Sequence, residues 1–413
     1  MKPRPTTDLI PAEKTSRTYR LSFAKAPFEG ILEAGFLSLG ILIAIRVFEA
    51  GDYTKAAIAA ASAVGLLFTP VTLHRASLGA IRTSTLVACY QYATAVCLLA
   101  AAWVPSLLGF AICMILAQAI STQPVPLMID IYSRNYPPAE RGRRVSNVIM
   151  LGGAIGALFS LAAGRILDLD LENYTWLLVF IAVGALAAGT LSARIPGDAL
   201  EQGSSGNPWQ NISLIWQDRL FGAMLGGWML MGMAMLITVP LRVEYIANPA
   251  YGINATNEQV ALITVFIPSI LRILSTRVWG FLFDRINFIT LRSMINLFLA
   301  AGVILYFNTT SLLWLGVGAA LIGLGFGGGN IAWQLWVTKI SPPRKVSAYM
   351  SVHAATTGLR GVFAPFIGYY LIQVGNPGWV GWAAGAMALL SIVLFNGLRD
   401  ALNTRAGEQG NQL

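Results

Sequence analysis

The sequence predicts an all-α integral membrane protein with twelve transmembrane helices in two pseudo-symmetric six-helix bundles. Three observations predict it. The chain is 56% hydrophobic and only 11% charged, whereas soluble domains carry about 25% charge. Twelve apolar runs approach or exceed the length a bilayer-spanning helix needs, about 20 residues. Two similar passages also recur half of the 413-residue chain apart. Residues 130–146 and 337–347 each leave an apolar run, turn on Pro-Pro, pass through basic residues and enter the next run at Val-Ser. Membrane carriers built from two such repeats hold their solute site where the repeats meet.

Residues 1–27 are polar and basic, and read as a loosely ordered tail. The first bundle, 28–195, contains runs 28–48, 56–73, 84–104, 106–131, 146–166 and 175–195. Gly152, Gly153 and Gly156 in its fifth run mark a close-packing surface, because small residues let lipid-buried helices approach. Residues 196–219 form a linker. Its Gly/Ser-rich part is flexible. Its end, 209–218, is amphipathic and suited to the membrane surface with Trp209, Ile212, Ile215 and Trp216 inward. The second bundle, 220–398, contains runs 220–240, 259–283, 288–307, 311–337, 346–373 and 379–398. Glycines between 323 and 329 mark a second packing surface. Residues 399–413 are a polar tail. The alternation of an outer-membrane barrel is absent.

The net charge of +9 does not point to nucleic acid, because most of the 28 Lys and Arg fall on one side of the expected membrane. Arg46, Lys55, Arg165 and Arg242 lie toward the other side. This positive-inside bias places both termini in the cytoplasm, and the bacterial inner membrane is the expected location. Residues 1–27 lack the pattern of a cleavable signal, and the first run is too long for one. Cys89, Cys97 and Cys113 have no metal spacing and read as small core residues. The Asn254-Ala-Thr256 pattern is short enough to arise by chance.

The passage from Gly280 through Asp284 and Arg285 to Arg292 resembles the signature that the major facilitator superfamily carries between the second and third helices of each half. The first half has a worn counterpart, in which Pro70 and His74 replace the Gly and Asp while Arg75 keeps the basic position. The resemblance covers about residues 28–398. It implies a gate in which Gly280 allows close helix approach and Asp284 caps the fifth helix of the opposite half, near Arg144 and Ser146, when the cytoplasmic side is closed. A local loop pair with Arg285 or Arg292 is the alternative. The fourth helix lacks the Arg of many proton-coupled members. The fifth lacks the Gly-Pro step of drug antiporters, which weakens a drug-exporter reading.

Charges inside apolar runs are costly and mark function by default. Glu29 and Glu33 lie one turn apart on the first helix, with Glu33 deeper, and are proton-coupling candidates. Each also has a plainer role, Glu29 among headgroups and Glu33 in a fixed pair with an Arg. Arg272 and Arg360 fall near the midplane on the eighth and eleventh helices. An Arg does not discharge, so each needs an anionic partner: a solute group, or Glu33 across the cavity. His353 titrates in principle but has no partner in the sequence, and packing is its simpler role. Arg46 and Arg165 can snorkel to the surface. The resemblance has helices one, four, seven and ten line the path. These offer Gln118, Gln123, Trp228, Asn330, Trp333 and Gln334, which suit a polar organic solute or merely glue helices together.

The expected protein is a secondary transporter working by alternating access, with a small polar organic solute and a proton as partners. An anionic group on that solute would suit Arg272 and Arg360. No nucleotide-binding loop is present, no cofactor or metal is implied, and a monomer in the bilayer is expected. A sensor or assembly factor on the same scaffold would need a receptor domain or long tail. A membrane enzyme would need a clustered catalytic set, which His74, His353 and the scattered cysteines do not supply.

Overall fold

The computed structural model describes residues 12–79, 81–199, 211–341 and 345–408. Among them, eleven helices are long and apolar enough to cross a membrane. The expected eleventh span, Val346–Val374, is a further helix of 29 residues. The first half contains α1 (Ala12–Ala34, a π turn Gly35–Leu39, then Gly40–Arg46), α2 (Asp52–Leu78) and α3 (Thr83–Trp103). It continues with α4 (Leu107–Ser121 and Pro124–Asn135), α5 (Pro138–Leu169) and α6 (Tyr174–Ala193). The second half contains α7 (Arg219–Ala247), α8 (Asn257–Ala261, a π turn Leu262–Phe266, then Ile267–Arg285) and α9 (Phe288–Phe307). It ends with α10 (Leu312–Leu335), α11 (Val346–Val374), α12 (Pro377–Gly397) and the short α13 (Arg399–Glu408).

The expected runs and the observed helices agree to within a few residues except at two places. α1 begins at Ala12, far upstream of residue 28, so the loosely ordered tail is not found from residue 12 onward. The polar face there is buried rather than solvated. Thr15 donates to the Asn135 carbonyl at 2.8 Å, and the Asn135 amide donates to Thr18 at 3.0 Å. Lys25 is fully buried and paired to Glu29. α5 starts at Pro138, where Pro fits the first helical position because its missing N–H would be unsatisfied anyway.

The fifth-helix glycines behave as expected in two cases of three. Gly152 and Gly156 lie backbone to backbone against Gly30 of α1, where any side chain would collide with a carbonyl. Gly153 faces Arg272 of α8 instead. The second glycine surface separates α10 from two neighbours: Gly323 and Gly327 meet α8, and Gly325 and Gly328 meet α9. Cys97 and Cys113 are half-buried, but Cys89 is exposed on its helix face and is not a core residue.

Of the amphipathic linker end, only residues 211–218 are described. Ile215 packs on Gly222, while Trp216 is exposed from the protein. Asp218 then clasps the second half. It caps α7 through the Phe221 N–H at 3.1 Å, accepts from Tyr349 of α11 at 2.8 Å, and takes a bidentate pair from Arg405 of α13 at 2.7 Å. Burial raises the Asp218 carboxyl, but these bonds outweigh it and hold it below the usual carboxylate range. Such a group stabilises the fold above the unfolded-state value, and that contribution is lost as pH falls through the folded value. Asp218→Asn should therefore lower stability by about 1 kcal/mol or more at neutral pH. In thermal melts the gap to the parent should close below about pH 4. A constant gap across that range would assign the effect to packing.

Candidate functional site

Charged and polar contacts between the halves cluster toward the face opposite the termini. Lys55, at the start of α2, pairs with Glu244 near the end of α7 at 2.8 Å and with Asp52 at 2.9 Å. Lys55 and Glu244 are both buried. Asp168 at the end of α5 accepts from the backbone N–H groups of Asn257 and Glu258, at 2.7 and 2.9 Å. A first-half carboxylate thus caps the positive N-terminus of a second-half helix. Gly164 allows the approach, since a side chain there would strike the Asn257 backbone. Arg46 donates to the Ala255 carbonyl at 2.8 Å, and Ser38 shares a hydrogen bond with Thr264 at 3.2 Å. Arg46 therefore ties the halves together and does not snorkel to the surface. Among the described residues, the one ion pair between the halves nearer the termini joins Glu33 to Arg272.

Deeper in the interface, Glu33 of α1 faces Arg272 of α8 at 4.0 Å. The distance is long for an ion pair, and the Glu33 side chain remains 58% exposed. The pair is loose, crosses from one half to the other, and is open to a third group. Arg272 is positioned by α8, whose carbonyl at residue 272 accepts from Thr276 at 2.6 Å, and its guanidinium passes over Gly153.

The other candidates divide. Glu29 lies in a fixed network inside the first half: Lys25 donates to it at 2.8 Å and Gln91 at 3.1 Å, while Gln91 in turn accepts from Ser192 at 2.9 Å. Gln123 bonds to the Gly65 and Ala119 carbonyls and joins α4 to α2. Gln118 is buried with its amide nitrogen unpartnered. Asn330 is exposed and Trp333 half-buried. The side chains of Gln334, Asp284 and Arg75 lie outside the described residues.

Arg360 does not reach Glu33 or Arg272. It turns into its own half, donates to the Trp228 carbonyl at 2.6 Å and fills the space left by Gly232. His353 is buried and accepts from the Trp336 indole at 3.0 Å. Arg292 departs from its expected place in the gate. It is buried on α9, with its guanidinium 3.8 Å from the Trp228 ring centroid. The resemblance gave Arg292 a place in the gate, but within the helix expected from residue 288 it turns inward. Gly280 provides no close approach in this state, since a Cβ there would meet only Ile331 at an ordinary 3.8 Å. Arg285 lies over Phe281 at 3.9 Å, and Arg144 pairs with Glu140 of its own helix.

The sequence reading missed Lys55, Glu244 and Asp168. Lys55 and Glu244 fall just outside the runs drawn at 56–73 and 220–240, and the observed helices extend past both. Asp168 gave no signal, because a cap between helices distant in sequence has no local pattern.

Two six-helix halves, latched at one face and bridged by a loose ion pair between them, define a membrane carrier of the alternating-access type. The family model of the Major Facilitator Superfamily matches residues 51–359 and 245–411, and the chain belongs to that superfamily. It is a secondary transporter by family. No curated protein sequence matches it significantly. Among solved structures it is similar to the nucleoside transporter NupG, at 13% identity and a TM-score of 0.72, over 93% of this chain and 98% of that one. It is also similar to a peptide transporter POT in complex with sulfate, at 11% identity and a TM-score of 0.74, over 94% and 95%. The xylose transporter XylE from E. coli, in a partially occluded inward-open form, gives 14% identity and a TM-score of 0.67, over 92% and 97%. At these identities the likeness is one of fold.

Proposed function

We propose that this transporter moves a small polar organic solute, with an anionic group on it, in symport with a proton. It works as a monomer in a bacterial inner membrane with both termini in the cytoplasm, and has no enzymatic role. The observation that carries this reading is the Glu33–Arg272 pair. It joins a group that can take a proton to a fixed cation on the opposite half. Its exposure leaves room for a solute carboxylate or phosphate to compete for the arginine. The latch far from the termini corresponds to a conformation facing the cytoplasm. The Asp284 motif would supply the reciprocal latch on the cytoplasmic side, by the same cap to a helix terminus that Asp168 makes. One of the similar structures is described as a D-xylose-proton symporter, which supports a proton as the coupling ion.

The test is a thermal-shift panel on the purified protein with nucleosides, dipeptides, pentoses, amino acids and organic acids. A polar, preferably anionic, compound should raise the melting temperature. Arg272→Ala should remove that shift, and Lys should restore it poorly where the contact is bidentate. A hit that binds Arg272→Ala as tightly as the parent would make the arginine structural.

A further inference from the structure

The second half contains a cationic cluster that the carrier reading does not use. Trp228 of α7 is its hub. Arg292 of α9 lies against one indole face at 3.8 Å, and Arg360 of α11 donates to the Trp228 carbonyl at 2.6 Å. The His353 ring sits 5.4 Å from the Trp228 ring, centroid to centroid. Because His353 Nδ1 accepts from Trp336, its other nitrogen, Nε2, carries the hydrogen of the neutral ring. Four buried donor atoms then have no acceptor: Arg292 Nε, Arg360 Nε, Trp228 Nε1 and His353 Nε2. Neither arginine has an ion pair among the described residues.

This arrangement is expensive as it stands. A buried unpaired ion is costly even after relaxation. A cation–π contact offsets only part of that cost. Three helices supply donors and cations, and among the described residues no carboxylate answers them. Groups kept at a cost to stability are a mark of function. The missing component is an acceptor with negative charge.

We propose that Arg292, Arg360, His353 and Trp228 form a binding site for a small anionic group, an oxyanion or carboxylate, inside the second bundle. Trp333 is the one ring of the cluster with exposed surface, at 5.1 Å from His353, and forms the door. The occupant is either a free inorganic anion or the anionic end of a transported solute. The site shares no contact with the Glu33–Arg272 pair, so it stands or falls separately from it.

The experiment uses the full-length purified protein at constant ionic strength in Tris–chloride buffer, which holds no carboxylate or oxyanion. Inorganic phosphate and acetate are titrated while melting is followed. A saturable rise in melting temperature is expected with one of them, absent in Arg292→Gln and Arg360→Gln and kept in Arg272→Ala. General salt stabilisation is linear and the same for all variants. Without anion, Arg292→Gln should melt at or above the parent, because it removes an unpaired buried charge. If neither phosphate nor acetate binds, an anionic solute from the panel whose binding needs both Arg292 and Arg360 assigns the site to the solute. The proposal is overturned if no probe gives an Arg292-dependent shift, or if Arg292→Gln melts well below the parent while Arg292→Lys does not.

Discussion

Lys55→Ala should open the face opposite the termini. In the parent, Lys55 joins Glu244 across the halves at 2.8 Å, with both side chains buried. Without the lysine, Glu244 keeps only the Asn248 amide at 2.7 Å. Breaking one side of a buried pair costs about 3–5 kcal/mol. Most of that cost falls on the latched state, since opening lets water reach Glu244. At about 1.4 kcal/mol per tenfold, the population shift is on the order of 10²-fold or more. Glu244→Gln should do less, because Lys55 retains Asp52 at 2.9 Å. Replacing both, as Lys55→Met with Glu244→Leu, should restore the latched state, since the only charge then left without its partner is the part-exposed Asp52. The readout is a single cysteine at Ser38, buried beside Thr264, with Cys89, Cys97 and Cys113 changed to Ser. An impermeant thiol reagent should label it slowly in the parent and at least tenfold faster in Lys55→Ala. Equal labelling in a folded Lys55→Ala protein would show that the pair is not the latch.

The fold was legible because lipid imposes it. A helix that must satisfy every backbone group within an apolar slab declares itself by length and apolarity, and all twelve runs have a helix over them. The failures lie where burial is decided by another helix rather than by lipid. Lys25 looks like tail chemistry until α1 is seen to lie against its neighbours with Glu29 at 2.8 Å. The resemblance gives Arg292 a place in the gate, but the rotation of α9 turns it onto Trp228. Arg360 was expected to meet an anionic partner, whereas it donates to a backbone carbonyl of its own half. The pairing of Glu33 with an arginine across the halves was among the readings of the sequence, whereas which arginine was not. Midplane depth is a one-dimensional quantity, and partner choice depends on helix rotation, which only packing fixes.

Glu33→Gln should uncouple solute movement from the proton gradient while leaving solute exchange intact. A coupling carboxylate must gain and lose its proton as the halves rock. It therefore needs a partner that belongs to the other half and can be left behind. Glu33 meets this condition, since its partner Arg272 is on α8 and the contact is only 4.0 Å close. Rocking of the halves would carry Arg272 away from the Glu33 carboxylate and so change its charged surroundings. Proton binding and the direction of opening are then linked reciprocally. Glu29 does not meet the condition. Lys25 and Gln91 hold it, and both belong to its own half, so rocking does not change its surroundings. Glu29→Gln should instead strand buried Lys25 and lower the melting temperature. His353 is enclosed by Trp228, Trp333 and Trp336 and also stays within one half. The measurement is uptake into proteoliposomes with an imposed pH gradient, using a solute identified by thermal shift. The Glu33→Gln protein should equilibrate that solute and exchange it across the membrane, but not concentrate it. If it still accumulates solute against a gradient as the parent does, the proton travels by another residue, and the Glu33–Arg272 pair serves only to hold the halves in register.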